Sequence, residues 1–320
     1  MNASGSFVIV WESNHQQAAD FNIIAQRFSA TGAKVGYELL VNSAFTAGIQ
    51  AAPAVAMATN GDFVVVWSSA GGAGSDPDVS IQGRRWRAST TSFFDQFLVN
   101  DVTAGDQHEP AIATDGGLSH LVAWEHPAAS QDIAIRSFTA DDFVGSGMVA
   151  DVPQLTANTF PSGAQSAPSV ARTPDGRAVV AWDSFGASFG SDQARYSIQA
   201  RRITANGFFA DANDVQINTY TTDDQRFPSV SMSSTGMYAI AWASFGSSGN
   251  DNSDYSIQFR AFDMSGLAVD PFDVQPNSYV TSTQCPIGIS FRAPRRYHAH
   301  YHPNPRPKPG EPARFGCSEG

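Results

Sequence analysis

The chain has 320 residues and a formal net charge of −11, with too few clustered Lys and Arg to grip phosphate backbones, which argues against a nucleic-acid binder. Charged residues make up only 15% and hydrophobic residues 42%, with 27 Gly and 22 Phe, a balance suited to many short strands joined by small turns. No apolar run approaches the roughly 20 residues needed to span a bilayer. The two cysteines, Cys285 and Cys317, both lie late in the chain, which excludes a disulfide framework.

The first predicted strand, residues 7–11 (FVIVW), follows a segment with no basic n-region or cleavage site, so the expectation is a removed leader or a piece of a longer chain. That strand recurs as FVVVW at 63–67, LVAW at 121–124, AVVAW at 178–182 and AIAW at 239–242. The tryptophans Trp11, Trp67, Trp124, Trp182 and Trp242 set a period of about 58 residues, the spacing expected of tandem all-β units. Other landmarks keep the same phase. Each Trp strand is followed by a polar loop and a second strand: IIAQRF from Ile23, IQGRRW from Ile81, IAIRSF from Ile133, IQARRI from Ile198 and IQFRAF from Ile257. A third strand ends at Asn42, Asn100 and Asn218. A Gln-x-x-Pro step opens a fourth, at Gln50/Pro53, Gln107/Pro110, Gln165/Pro168 and Gln225/Pro228. Turns at Asn60-Gly61, Gly116-Gly117, Asp175-Gly176 and Thr235-Gly236 then return the chain to the next Trp strand.

Helical periodicity is absent. The Trp strands are apolar on consecutive residues, which predicts burial on both faces, as in a sheet packed between two others. Four short antiparallel strands per unit is the make-up of a propeller blade, so the predicted fold is an all-β propeller of five four-stranded blades over residues 1–291. Past the fifth unit, Gln284-Cys285-Pro286 resembles one more Gln-Pro strand with one residue fewer. Docked beside residues 7–11, it would complete the first blade and remove a free sheet edge. Residues 292–320, rich in Pro, Arg and His, hold six Lys or Arg against two acids and read as a disordered tail.

The pattern FVVVW…IQxRRF…VN…QxxP resembles repeats of large secreted or surface-exposed bacterial proteins, some of which also carry calcium-binding toxin-type repeats. The resemblance covers roughly residues 5–291. It implies a β-propeller and an extracellular or cell-surface setting, and it brings no catalytic residues with it. Neither the Asp-box of sialidases nor the Gly-His…Trp-Asp pattern of WD40 blades is present.

The residue after each repeat Trp is Glu12, Ser68, Glu125, Asp183 and Ala243. Should the Trp strands end near the axis, Glu12, Glu125 and Asp183 would converge at a channel mouth and supply an acid, a nucleophile or base, and a group tuning the acid. The plainer reading has them facing solvent or pairing with arginines. Arg27, Arg84, Arg85, Arg136, Arg201, Arg202 and Arg260 recur in the second strand, where bracing between blades is favoured over an anion-binding ring. Asp20, Asp78 and Asp254 each precede a second-strand Ile by three residues, and the run Asn250-Asp251-Asn252-Ser253-Asp254 offers oxygen ligands for calcium. Asx and Ser clusters are also ordinary turn formers, so no cofactor is expected, with calcium the alternative. His298, His300 and His302 alternate as zinc ligands on a strand would, yet they stand among prolines, and no metal site is assigned to them.

These readings predict a non-enzymatic extracellular binding or adhesion module, lectin-like, whose partner is a glycan or a surface protein. Glu12, Glu125, Asp183, Asp78 and Asp254 would present ligand sites repeated around a ring. The alternatives are a glycoside hydrolase using Glu12, Glu125 and Asp183, or a structural spacer in a larger secreted chain.

Overall fold

The computed structural model describes residues 1–14, 21–72, 76–127, 130–186, 191–192, 195–247, 249–251, 254–278, 284–292 and 296–303. Among the described residues there is no helix. The first sheet holds β1 (Phe7–Ser13), β2 (Asn22–Phe28) and β3 (Lys34–Leu40). The second runs through β4 (Gln50–Met57), β5 (Phe63–Ser69) and β6 (Ser80–Arg87), with the short β7 (Ser92–Phe93) and β8 (Phe97–Leu98) on its outer edge. The third has β9 (His108–Thr114), β10 (Ser119–His126) and β11 (Asp132–Ala140), edged by β12 (Met148–Ala150) and β13 (Leu155–Thr156). The fourth is β14 (Gln165–Arg172), β15 (Ala178–Phe185), β16 (Tyr196–Ile203) and β17 (Val215–Gln216), and the fifth β18 (Gln225–Met232), β19 (Tyr238–Phe245) and β20 (Tyr255–Phe262). Last comes the pair β21 (Gln284–Arg292) and β22 (Arg296–Pro303).

Every pairing is antiparallel, and in the second to fifth sheets the Gln-Pro strand forms one edge beside the Trp strand. Those edge strands pack on one another in turn, β4 on β9, β9 on β14, β14 on β18 and β18 on β21. They therefore form the inner wall, and the broken third strands lie outermost, which is a propeller-type arrangement.

The Trp strands show why consecutive apolar residues were needed. All seven residues of β5 are buried. Phe63, Val65 and Trp67 join Ile23, Ala25 and Val41 of the first sheet, while Val64 and Val66 join Val122 and Trp124 of the third. The alternation repeats further on, with Val180 and Trp182 against Leu121 and Ala123, and Val179 and Ala181 against Ile240 and Trp242. Each buried large side chain contributes roughly 1.5–3 kcal/mol, so each sheet interface is itself a small core.

Polar landmarks finish these junctions. The indole Nε1 of Trp67, Trp124, Trp182 and Trp242 donates to Gln50, Gln107, Gln165 and Gln225 at 2.8, 3.2, 3.0 and 3.2 Å. The repeat Asn oxygens cap the second-strand Ile amides: Asn42 on Ile23, Asn100 on Ile81 and Asn218 on Ile198. Asn158 on Ile133 and Asn277 on Ile257 extend the set beyond the three positions legible in sequence. Four second-strand arginines reach the preceding sheet: Arg84 to the Val41 carbonyl, Arg136 to Val99, Arg201 to Ala157 and Arg260 to Ile217. These guanidinium groups brace blades, as favoured from the sequence.

Two expectations change at the C-terminal end. The strand expected to complete the first sheet, β21, pairs with β22 and not with β1, so hydrogen bonding does not close the ring. Part of the expected tail, residues 296–303, is a strand, because antiparallel pairing gives its backbone groups partners that a Pro-rich coil lacks.

Candidate active site

The inner strands share an unusual backbone. Between the Gln and the Pro each carries an extra residue opposite its partner strand, and the residue before each Pro takes a positive φ: Ala52 at 50°, Glu109 at 48°, Ala167 at 50° and Phe227 at 56°. None is Gly, so each bulge stores strain of order 1–3 kcal/mol. The bulges turn successive residue-Pro steps toward the axis. There Glu109-Pro110, Ala167-Pro168 and Phe227-Pro228, with Ser169 and Ser229, line an open cleft of about 280 Å³.

The carboxylates after the Trp residues meet these bulges. Glu12 accepts from the Ala52 amide at 2.8 Å, Glu125 from Ala167 at 2.8 Å and Asp183 from Phe227 at 3.1 Å. In each case a side chain of one sheet caps a strained amide of the next, across a gap of about 40 residues in sequence. Each of the three expected carboxylates is thus tied to a sheet junction. Asp183 is 0% exposed, bonded also to the Ser166 hydroxyl and to Arg226 at 3.4 Å, so it cannot touch a ligand. Burial pushes its carboxyl above the ordinary range, against the opposing pull of Arg226. Glu125, 9% exposed, accepts from the Gln131 side-chain amide with its second oxygen. Burial, helped by the charges of Glu109 and Asp183, raises it from 4.5 to about 7. Glu12 remains exposed.

At the one junction where Ser68 replaces the carboxylate, its buried hydroxyl has no partner. The bulge residue there is Glu109, which carries a carboxyl of its own into the cleft. Glu109 is exposed on its solvent side, yet surrounding protein raises its carboxyl above the ordinary range, and the charge of Glu12 adds to this while His108 opposes it. The sequence pattern pointed to the column after Trp and passed over Glu109. The available signal was a charged residue at a pre-Pro position otherwise held by Ala52, Ala167 and Phe227.

The outer-loop candidates do not converge. Asp78 accepts from the Gly105 amide of another loop at 2.8 Å, and Asp254 from the adjacent Tyr255 amide at 2.9 Å. Asp251 is fully buried and holds Asn277, while Asp20, Asn252 and Ser253 lie outside the described residues. Among the described residues no group of three or more His, Cys, Asp or Glu side chains could hold a metal ion.

No family model matches the chain, and no curated protein does. Solved structures do. The α-L-arabinanase of Penicillium chrysogenum is 14% identical over 77% of this chain and 74% of its own, with a TM-score of 0.51. The α-L-arabinofuranosidase of Fusarium graminearum, solved with arabinobiose, is 12% identical over 79% and 73%, at 0.51. A polysaccharide lyase, ulvan lyase, is 11% identical over 90% and 70%, at 0.56. At these identities the likeness establishes the propeller-type all-β fold. The expectation of a non-enzymatic adhesion or lectin-like module is corrected: these similar structures are carbohydrate-cleaving enzymes. The geometry gives a physical reason as well. Asp78 and Asp254 are engaged by backbone amides, and the acidic side chain that lines the cleft is Glu109.

Proposed function

We propose that the protein is a carbohydrate-cleaving enzyme of the glycoside-hydrolase type, working in the axial cleft with Glu109 as its acid. Five Trp strands would place five blades about that axis. The reading rests on one observation: an exposed carboxyl, raised by its surroundings and by a neighbouring carboxylate, stands in a cleft. A carboxyl that holds its proton more tightly than usual can protonate a glycosidic oxygen as the bond to the sugar breaks. Glu12, exposed and close enough for its charge to act on Glu109, takes the second role, activating water or attacking the sugar carbon. Glu125 and Asp183 sit behind, holding the bulges that aim the cleft residues. Phe227 offers an aromatic face for a sugar ring.

The charge balance favours a neutral glycan. Glu109 lines the opening and feels the charge of Glu12, whereas Arg226 is committed to Asp183 and to the Tyr196 ring at 4.0 Å. An anionic polymer would be repelled there. The acidic, Lys-poor composition fits an extracellular polysaccharide substrate.

The test is a panel of neutral polysaccharides, arabinan included, assayed for new reducing ends beside uronate polymers assayed for unsaturated products. Glu109→Gln should lower kcat on native glycan about 10²-fold or more and leave folding unchanged. Absence of hydrolysis across the panel by folded protein, or full activity of Glu109→Gln, overturns the proposal.

A further inference from the structure

The free edge of β1 and the leftover strand β21 fit one another. In four sheets a Gln-Pro strand pairs with the Trp strand, and the Gln side chain clasps the indole seventeen residues on. The first sheet has the Trp strand, with Trp11, and no Gln-Pro strand. The last pair has the Gln-Pro strand, with Gln284, and no Trp strand. In β4, β14 and β18 the residue after Gln faces the residue after Trp: Ala51 opposite Ser68, Ser166 opposite Asp183, Arg226 opposite Ala243. In β21 that residue is Cys285, and β22 sets His302 opposite it. β22 thus sets a residue against Cys285, the position that a Trp strand faces in the other sheets.

We infer that β21 exchanges β22 for β1, and that Gln284 then clasps Trp11 as its four counterparts clasp theirs. Packing already carries β21 to the place next after β18 on the inner wall, and β1 lies against β4 at the other end of the series. β1 offers an apolar Trp strand of the repeat type, with Ile9 47% exposed, whereas β22 (RYHAHYHP) lacks the apolar run that both-face burial needs. The exchange has added weight at this junction. Position three after the second-strand Ile, an arginine brace in the other four sheets, is Gln26 in the first, and it bonds within its own sheet. Strand pairing must hold this junction where a guanidinium holds the rest.

Disulfide trapping tests the exchange independently of any chemistry at Glu12. In the Cys317→Ser background, Glu12→Cys would face Cys285 in the exchanged pairing, and His302→Cys faces it in the present one. Directly opposed antiparallel residues have Cα atoms roughly 4.5–5.5 Å apart, within disulfide reach. After mild oxidation, peptide mapping of the first variant should find the introduced thiol at position 12 bonded to Cys285 in most molecules, within one chain by size-exclusion chromatography. The second variant should show little bond. A bond to position 302 at equal or greater yield, no bond in either variant, or a bond joining two chains overturns the inference. Near-ultraviolet circular dichroism of each variant against the parent confirms that both are folded.

Discussion

Replacing Glu125 with Gln should stabilise the protein at alkaline pH. Its carboxyl, displaced from 4.5 to about 7, is protonated in the folded chain over a window in which the unfolded chain has released the proton. The folded state binds more protons there, so stability is full below 4.5 and falls as pH rises to about 7. A displacement of that size corresponds to roughly 3 kcal/mol of penalty above pH 7. Gln keeps a carbonyl oxygen for the Ala167 amide and cannot ionise, and the Gln131 amide can turn to offer its oxygen. Loss of the strong bond from that amide to a charged acceptor is already contained in the displaced value. Allowing for repacking, Glu125→Gln should gain about 1–3 kcal/mol at pH 8 and nothing at pH 4.5. Urea unfolding at the two pH values measures this directly, and a gain of that size raises Tm by several degrees. If the variant and the parent lose stability in parallel between pH 4.5 and 8, the ionisation penalty does not reside at Glu125 and the reasoning fails.

Removing the charge at Glu12 should lower the pKa of Glu109, because Glu12 helps raise it. In Glu12→Asp the alkaline limb of any kcat/KM profile should stay in place, and binding of a neutral oligosaccharide to Glu12→Gln should lose its protonation dependence at lower pH than in the parent. His120 acts in the opposite direction to Glu125. Buried, it is pulled down from 6.5 to about 4, so its contribution to stability is present above 6.5 and is lost as pH falls to about 4. His120→Gln should flatten that acid limb in thermal unfolding, and an unchanged limb would place the acid sensitivity elsewhere. Trp182→Phe removes the donor to Gln165, leaving a buried carbonyl oxygen unpaired beside a small void. A loss of about 2–4 kcal/mol in chemical denaturation is expected, and a loss under about 1 kcal/mol would show the clasp to be dispensable. Arg201→Met should cost a similar amount, since Arg201 pairs with the Ala157 carbonyl and lies 3.6 Å over the Phe209 ring.

Much of the architecture was legible because it is local and repeated. Residue type at fixed offsets told which Asn and Gln recur and where arginines cluster, and the structure gives the Gln clasp and the arginine brace matching work in four of the five sheets. The identity of the groups facing the cleft was not legible in the same way. Glu125 and Asp183 looked like site residues because they stand in a column, yet each is consumed by an amide about 40 residues away on the next sheet. Glu109 stood outside that column, with a charge at a pre-Pro position as its one mark in the sequence, and the structure adds its bulge beside the unpartnered Ser68 hydroxyl.

By itself, then, the order of amino acids determined the strands, their turns and the two-faced burial of the four later Trp strands, since these follow from side-chain size and polarity at neighbouring positions. The tertiary structure alone decided which carboxyl meets solvent, which is buried to a raised pKa, and which strand edge is left to fill. Those properties depend on what the adjacent sheet places against a side chain, and that sheet lies dozens of residues away along the chain.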